Sequence, residues 1–201
     1  ICLEGCSGTG KTTQYHLLNE YYNQSGLNHL AVVEKEYEPF KSEVKKWHET
    51  KGPKIPFTDK DVRDFARARA ETFSRNFSKL ENEVDFILMD RYFYTSAVYQ
   101  TGSGLTPEEI LNVNIEFGVP VPDLTFLFDC NPYLCFQRAN ERNKLTGGKH
   151  LFSTSPERIS EIRQRYFGLM NGRREVIIVD SSRPISKIKE DLVTKINSLF
   201  L

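Results

Sequence analysis

Short apolar runs alternate with longer amphipathic segments along the whole chain. This alternation is typical of parallel strands joined by helical crossovers, so it predicts an α/β fold. The apolar runs predict strands at 1–4, 30–34, 84–89, 124–129 and 175–179. The amphipathic segments predict helices at 11–24, 42–50, 59–80, 106–117, 132–143, 156–171 and 185–200. We therefore expect one domain over residues 1–201.

Three of these helices begin with recognisable start signals. Thr58 precedes an acidic first turn, Thr106 is followed by Pro107 and by Glu109 three positions later, and Ser155 precedes Pro156. A hydroxyl at the N-cap with an acid three residues on is a capping box, and proline is favoured at the first helical position. The three helix starts are therefore well defined by sequence.

Charge and cysteine usage narrow the class of protein. Lys plus Arg (27) equals Asp plus Glu (27), so the net charge argues against a protein that binds nucleic acid or a membrane surface through its overall charge. We therefore expect any basic site to be a pocket. No apolar run reaches the roughly 18 residues that a membrane helix needs. The four cysteines show neither CxxC nor zinc-site spacing, so we expect reduced thiols and a cytoplasmic location. Because the chain begins with Ile1 inside a predicted strand, we expect further residues upstream, which leaves a targeting segment open.

One motif follows the first predicted strand and precedes the first predicted helix. It satisfies GxxxxGK(S/T) with the residues Gly5, Cys6, Ser7, Gly8, Thr9, Gly10, Lys11 and Thr12. In this context backbone N–H groups turn inward around a phosphate and the helix N-terminus adds positive potential. Lys11 adds a charge near the transferred phosphate, and Thr12 is placed to ligate magnesium. The segment through Thr13 predicts a site for ATP and Mg²⁺, with a glycine-rich turn that binds nothing as the alternative.

An acidic residue ends the third predicted strand and an arginine follows it. Asp90 has the usual position of a carboxylate that holds the magnesium shell beside a phosphate-binding loop. Arg91 places a cation where a second phosphate is held, which a phosphoryl acceptor needs and a water-using ATPase does not. An acidic strand end paired with its neighbour is the structural alternative. Together with the loop, the pair favours a kinase.

These motifs resemble the thymidylate kinase family of nucleoside monophosphate kinases, and the resemblance covers most of the chain. Residues 1–14 look like that family's phosphate-binding loop. Its DRY…S..YQ segment is matched by Asp90, Arg91, Tyr92, Ser96, Tyr99 and Gln100. Its PDLT…D..P…R run is matched by 122–125 with Asp129, Pro132 and Arg138. Its Glu-Pro pair and FxxxR helix are matched by Glu38, Pro39, Phe65 and Arg69.

The resemblance implies a P-loop fold with a five-stranded parallel sheet, a homodimer, and transfer of the ATP γ-phosphate to a deoxynucleoside monophosphate, above all dTMP. It assigns to the acceptor site Ser7, Glu38, Pro39, Phe65, Arg69, Arg91, Ser96, Tyr99, Gln100 and Tyr166. By this resemblance Phe65 stacks on the base, Arg69 and the pair Ser96 and Gln100 contact its edge, Arg91 holds the phosphate, and Tyr99 and Tyr166 lie against the sugar.

The residues alone leave blander alternatives open for several of these positions. Phe65 and Tyr99 lie on amphipathic helical patterns and could be core residues, and Tyr166 could be an ordinary half-buried helix tyrosine. Arg69 stands among Arg63, Arg67 and Arg75, so its charge pattern is equally typical of a solvated face.

A basic stretch with two adjacent glycines predicts a lid over about 142–154. A basic loop that closes over phosphates stabilises the charge of phosphoryl transfer and excludes water. We expect Arg138 to contact ATP and Arg142 to be the closing, catalytic arginine. The loop residues Cys6, Ser7 and Thr9 are uncharged, so the chain resembles family members whose catalytic arginine lies in the lid.

Ser7 departs from the family pattern, which usually has an acid there to hold the acceptor's 3′-hydroxyl. Serine still forms hydrogen bonds but brings no negative charge. Our hypothesis is therefore a kinase of altered or relaxed acceptor preference. Two other functions stay open from sequence: a deoxynucleoside kinase acting on a sugar hydroxyl, and a nucleotide-binding switch that needs no acceptor. The switch is disfavoured because the string nearest to NKxD, at 143–146, lacks the Asp.

Overall fold

The computed structural model describes residues 1–52, 55–80, 82–100, 102–146 and 155–200. Its centre is a five-stranded, fully parallel sheet in the order β2-β3-β1-β4-β5. The strands are β1 (Cys2–Gly5), β2 (His29–Val32), β3 (Phe86–Asp90), β4 (Thr125–Asp129) and β5 (Val176–Asp180). This confirms the predicted α/β class and every predicted strand to within a few residues.

Helices connect the strands and cover both faces of the sheet. They are α1 (Lys11–Asn23), α2 (Phe40–Thr50), α3 (Asp59–Asn76), α4 (Phe93–Tyr99), α5 (Pro107–Glu116), α6 (Pro132–Thr146), α7 (Pro156–Met170) and α8 (Ile185–Asn197). Short 3-10 turns lie at Glu34–Glu36 and Ser78–Leu80. The predicted helix 59–80 therefore ends at Asn76, and the sequence pattern missed α4, whose two turns are too short to show a helical period.

The alternation of side chains along each strand divides the core into two layers. Leu3 and Phe126 point to the face that α1 and α8 cover, where they meet Leu18 and Leu192. The neighbouring strand residue Cys2 points to the opposite face and packs with α4, α5 and α7. Because both faces are buried, the strands are continuous apolar runs, as expected for a parallel sheet.

The predicted helix starts are confirmed at α3, α5 and α7. Thr58 and Thr106 each accept a hydrogen bond from the third helical N–H, and Asp61 and Glu109 complete the two capping boxes. Ser155 caps α7 in the same way, through the N–H of Arg158. The caps fix the start of α3, which contributes Phe65 and Arg69 to the site, and of α5, which supports Arg69 through Asn114.

The expectation of four reduced thiols is wrong for one pair. Cys130 and Cys135 are joined as a disulfide across the start of α6, with Cα atoms 6.6 Å apart. Their separation of five residues places both at the junction of β4 and the helix, which spacing rules for zinc or CxxC sites do not detect. Cys2 and Cys6 are free and buried.

Two further expectations concern the lid and the membrane. Of the predicted lid at 142–154, the part up to Thr146 continues α6, and 147–154 lie outside the described residues. Within the described ranges, no helix is both long and apolar enough to cross a membrane.

Candidate active site

A cleft of about 490 Å³ opens at the carboxyl edge of the sheet, beside the ends of β1 and β3. Loops that follow parallel strands meet at this edge, where α/β folds bind ligands. One end of the cleft is the loop 5–12, and the other end is a group of aromatic residues between α2 and α3. A single cavity thus joins a phosphate-binding loop to a base-sized apolar pocket.

The loop 5–12 has the backbone form that cradles a phosphate. Gly8 and Gly10 have φ of 82° and 83°, a left-handed conformation that side chains disfavour. Gly8 also packs directly on the carbonyl of Cys135, so a Cβ there would overlap the start of α6. Gly10 is the N-cap of α1, and within the described chain no side chain caps that helix. Its N–H groups are therefore available to an anion.

Lys11 is buried and held across the loop. Its Nζ donates to the carbonyl of Cys6 at 2.6 Å and to Oγ1 of Thr9 at 3.2 Å. Burial, together with the nearby Arg91, lowers the pKa of Lys11 to about 7, although Asp90 opposes both effects. A negative phosphate in the cleft would raise the pKa of Lys11 again. The site is therefore suited to bind an anion and a proton together.

The predicted magnesium residues lie together. Thr12 donates its hydroxyl to Oδ2 of Asp90 at 2.8 Å, and both residues line the cleft. Oδ1 of Asp90 is buried and has no hydrogen-bond partner in the described residues. An unpaired buried carboxylate oxygen beside a threonine hydroxyl is a donor set that suits Mg²⁺, which usually takes few protein ligands and completes its shell with water and phosphate.

Arg91 projects into the cleft from a strained backbone. Its φ of 70° is left-handed, which costs a residue other than glycine roughly 1–3 kcal/mol. Its Nη1 donates to Oγ1 of Thr95 at 3.0 Å and to the hydroxyl of Tyr166 at 3.1 Å. The ring of Tyr99 lies 5.9 Å from the guanidinium. A cation held this rigidly beside the P-loop is suited to orient a phosphate.

Arg69 is 2% exposed, which excludes the solvated-face alternative. Its Nε donates to Oε1 of Glu34 at 2.7 Å, its Nη1 to Oδ1 of Asn114 at 2.6 Å, and its Nη2 to Oγ of Ser96 at 2.9 Å. The guanidinium also lies 4.5 Å from the ring of Phe40. These three partners use three of the five N–H groups, so one N–H on each terminal nitrogen is left for a ligand in the cleft.

Aromatic side chains form the wall around Arg69. Trp47 and Phe57 stack at 4.3 Å, and Phe65 meets Phe57 and Phe40 edge to face. Nearby, Oε1 of the buried Gln100 has no hydrogen-bond partner in the described residues. A flat apolar slot with an unused amide oxygen and two unused guanidinium N–H groups is complementary to a nucleobase edge.

Helix α6 reaches the phosphate-binding loop directly. Nη2 of Arg142 donates to Oγ of Ser7 at 3.1 Å, and both residues line the cleft. Arg138, one turn earlier on α6, donates instead to the carbonyl of Ser181 at 2.9 Å, outside the cleft wall. Ser7 thus contacts an arginine, a contact that an acid would form as an ion pair.

The cleft collects most of the predicted site residues. Its walls include Ser7, Gly8, Gly10, Lys11, Thr12, Thr13, Phe65, Arg69, Asp90, Arg91, Ser96, Tyr99, Gln100 and Arg142. Gly5, Cys6 and Thr9 belong to the loop but do not line the cleft. Tyr166 is 1% exposed and reaches the site through Arg91.

Glu38 and Pro39 do not line the cleft. They share a cis peptide bond, and the exposed Glu38 side chain accepts from the backbone N–H of Ser42 at 3.2 Å, which caps α2.

Several wall residues were missed by sequence reasoning. They include Glu34, Phe40, Val44, Trp47, Phe57, Tyr92 and Thr95. Phe40, Val44 and Trp47 recur at helical spacing, which predicts a buried face but not that this face borders a ligand. Glu34 looks like one acid in the charged run 34–38, and only the fold pairs it with Arg69.

Comparison with known proteins agrees with this site. A family model described as thymidylate kinase matches residues 3–192. A probable thymidylate kinase of Pyrococcus horikoshii is 32% identical over 201 residues, covering 96% of this chain and 93% of the relative. A thymidylate kinase of Leptospira interrogans is 28% identical over 193 residues, with 95% and 90% covered. A probable thymidylate kinase of Archaeoglobus fulgidus is 26% identical, with 100% and 95% covered.

Proposed function

Because the chain belongs to the thymidylate kinase family, we propose that it transfers the γ-phosphate of ATP to dTMP, giving ADP and dTDP. One observation carries this proposal: a continuous cleft has the P-loop at one end and Arg69 with its aromatic wall at the other. Arg91 lines the same cleft, and we assign it to the acceptor phosphate. An ATPase that uses water has no need of the base-sized end of the cleft.

The donor is bound by the loop 5–12 and the N-terminus of α1. Lys11 leaves its carbonyl partner in the loop and neutralises charge on the transferred phosphate. Thr12 and Asp90 would hold Mg²⁺, partly through water, and the ion would neutralise phosphate charge there. We also assign Arg138, in the middle of α6, to the donor, although in the free protein its guanidinium contacts the carbonyl of Ser181. Catalysis consists of positioning and electrostatic stabilisation, with no covalent enzyme intermediate.

The acceptor is bound by the rest of the cleft. Phe65 stacks on the base, and Arg69 donates its remaining N–H groups to a base carbonyl. Gln100 accepts from the base N–H through its unpaired Oε1. Arg91 holds the acceptor phosphate in line with the donor, and Tyr99 packs against the sugar.

The contact between Arg142 and Ser7 supports a catalytic role for the lid. Arg142 neutralises the charge that develops on the transferred group. We also propose that residues 1–201 act as one domain, that the chain is a homodimer, and that it works in the cytoplasm. Light scattering of the purified protein tests the dimer, because a dimer has twice the mass of the chain.

A coupled assay of ADP production with ATP, Mg²⁺ and one acceptor at a time tests the proposed activity. The acceptors are dTMP, dUMP, dCMP, dGMP, UMP, CMP and thymidine. We expect ADP production to require an acceptor and to be fastest with dTMP. A preference for another monophosphate would instead support the altered acceptor preference suggested by Ser7. Activity with thymidine alone would indicate a nucleoside kinase, and ADP production without any acceptor would contradict the proposal.

A further inference from the structure

Strand β1 carries a fully buried carboxylate just before the phosphate-binding loop. Oε1 of Glu4 accepts from the backbone N–H groups of Tyr92 at 2.8 Å and Thr95 at 3.2 Å. Oε2 accepts from the hydroxyls of Thr95 at 2.6 Å and Tyr166 at 3.2 Å. The thiol of Cys2 lies 3.8 Å from Oε1. Each of these five contacts offers the carboxylate a hydrogen-bond donor, so the pocket suits a group that only accepts hydrogen bonds.

The same two hydroxyls hold Arg91. Nη1 of Arg91 donates to both of them, and the two hydroxyl oxygens lie 2.9 Å apart. A hydroxyl has one proton to donate and two lone pairs to accept with. Thr95 can donate its proton to Glu4, while Tyr166 donates its own to Thr95 or to Glu4. Both hydroxyl oxygens then keep lone pairs that accept from Arg91. The hydrogen bonds therefore all run in one direction, from Arg91 to Glu4.

We infer that Glu4 is a positioning residue for the acceptor phosphate, acting on Arg91 through the hydroxyls of Thr95 and Tyr166. The inference rests on the proposed function, in which Arg91 holds that phosphate. The carboxylate sets the direction of both hydroxyl protons, and the oriented hydroxyls fix the guanidinium at the mouth of the cleft.

Replacing the carboxylate by an amide disrupts this arrangement in either orientation. If the amide nitrogen of Glu4→Gln faces Thr95 and Tyr166, it donates to hydroxyls that must then turn their protons elsewhere, towards Arg91. If it faces the other way, it meets the backbone N–H groups of Tyr92 and Thr95. In each case a donor opposes a donor at a buried position, although size and shape hardly change.

The test compares the affinities of Glu4→Gln and wild type for dTMP and for thymidine, which lacks the phosphate, by calorimetric titration. We expect dTMP to bind at least about tenfold more weakly to the variant, with thymidine affinity unchanged. Glu175→Gln is the matched control, because Glu175 accepts from the Tyr94 hydroxyl at 2.8 Å away from the cleft. Both affinities should stay at the wild-type level in this control.

A second variant covers the case in which Glu4→Gln does not fold. Thr95→Val keeps the carboxylate and its backbone donors but removes one hydroxyl, and we expect the same selective loss of dTMP affinity. Equal weakening of dTMP and thymidine would assign Glu4 a merely structural role and overturn the inference, as would wild-type affinity in both variants. If wild type itself binds thymidine as tightly as dTMP, or if Arg91→Ala leaves dTMP binding intact, the proposed role of Arg91 is wrong.

Discussion

The two buried cations of the cleft differ in the partners that compensate their burial. Arg69 and Lys11 are both buried cations, but Arg69 is paired with a carboxylate, whereas the hydrogen bonds of Lys11 go to a carbonyl and a hydroxyl. Uncompensated burial favours the neutral amine, which explains the lowered pKa of Lys11. The phosphate that the loop is shaped for supplies the missing negative charge.

Binding of MgATP should therefore take up a proton at Lys11. With a pKa of about 7, Lys11 is mostly neutral in the free protein at pH 8, and the bound phosphates raise its pKa. The affinity for MgATP should fall as the pH rises above about 7. Calorimetric titration at pH 8 in two buffers of different ionisation enthalpy measures the uptake directly. Lys11→Arg, which stays charged, should show none, and binding heats independent of buffer in wild type would contradict the expectation.

Arg142 should matter for the chemical step more than for binding. Removing a charge that stabilises the transition state costs on the order of a hundredfold in kcat. We expect Arg142→Ala to lose that much kcat while its melting temperature stays within a degree or two, because the side chain is exposed. Lys187→Ala, which removes an exposed positive charge on α8, is the matched control. Equal kcat values in the two variants would remove Arg142 from the mechanism.

At the level of elements, the base pocket depends on four parts of the fold that meet at Arg69. Glu34 comes from the turn after β2, Arg69 from α3, Ser96 from α4 and Asn114 from α5. Asn114 is 1% exposed and also donates its Nδ2 to the carbonyl of Ile110 at 2.8 Å. Helix α5 has no residue in the described cleft wall. Through Asn114, however, its position affects Arg69 and therefore the base pocket.

Asn114→Ala should consequently affect both stability and acceptor affinity. Loss of the amide leaves a buried guanidinium N–H unpaired, which costs about 1–3 kcal/mol of folding free energy. We expect a lower denaturation midpoint and a several-fold higher KM for dTMP, with KM for ATP unchanged. Asn112→Ala, exposed on the same helix, should change neither quantity. A stability loss without any change in KM would show that α5 supports the fold but not the pocket.

At the scale of the whole molecule, the features that could be predicted from sequence are those that depend on a local pattern of residues. The parallel sheet followed from apolar runs, and the phosphate end of the cleft followed from the contiguous loop 5–12 and the pair Asp90 and Arg91. The base end depends on long-range packing. Along α3, Arg67 and Arg75 are 64% and 63% exposed, whereas Arg69 is 2% exposed. The charge pattern does not distinguish these arginines, and only the family's FxxxR motif singles out Arg69, because its burial comes from partners such as Glu34 and Asn114, 35 and 45 residues away.

Phosphate transfer from ATP to dTMP is tested most directly by locating the labelled γ-phosphate in the products. ATP labelled in its γ-phosphate is incubated with the protein, Mg²⁺ and dTMP, and the labelled products are separated by chromatography. We expect the label to appear in dTDP as its β-phosphate, and we expect no labelled product to form at a comparable rate when dTMP is omitted. Label released only as inorganic phosphate, at the same rate with and without dTMP, would contradict this expectation.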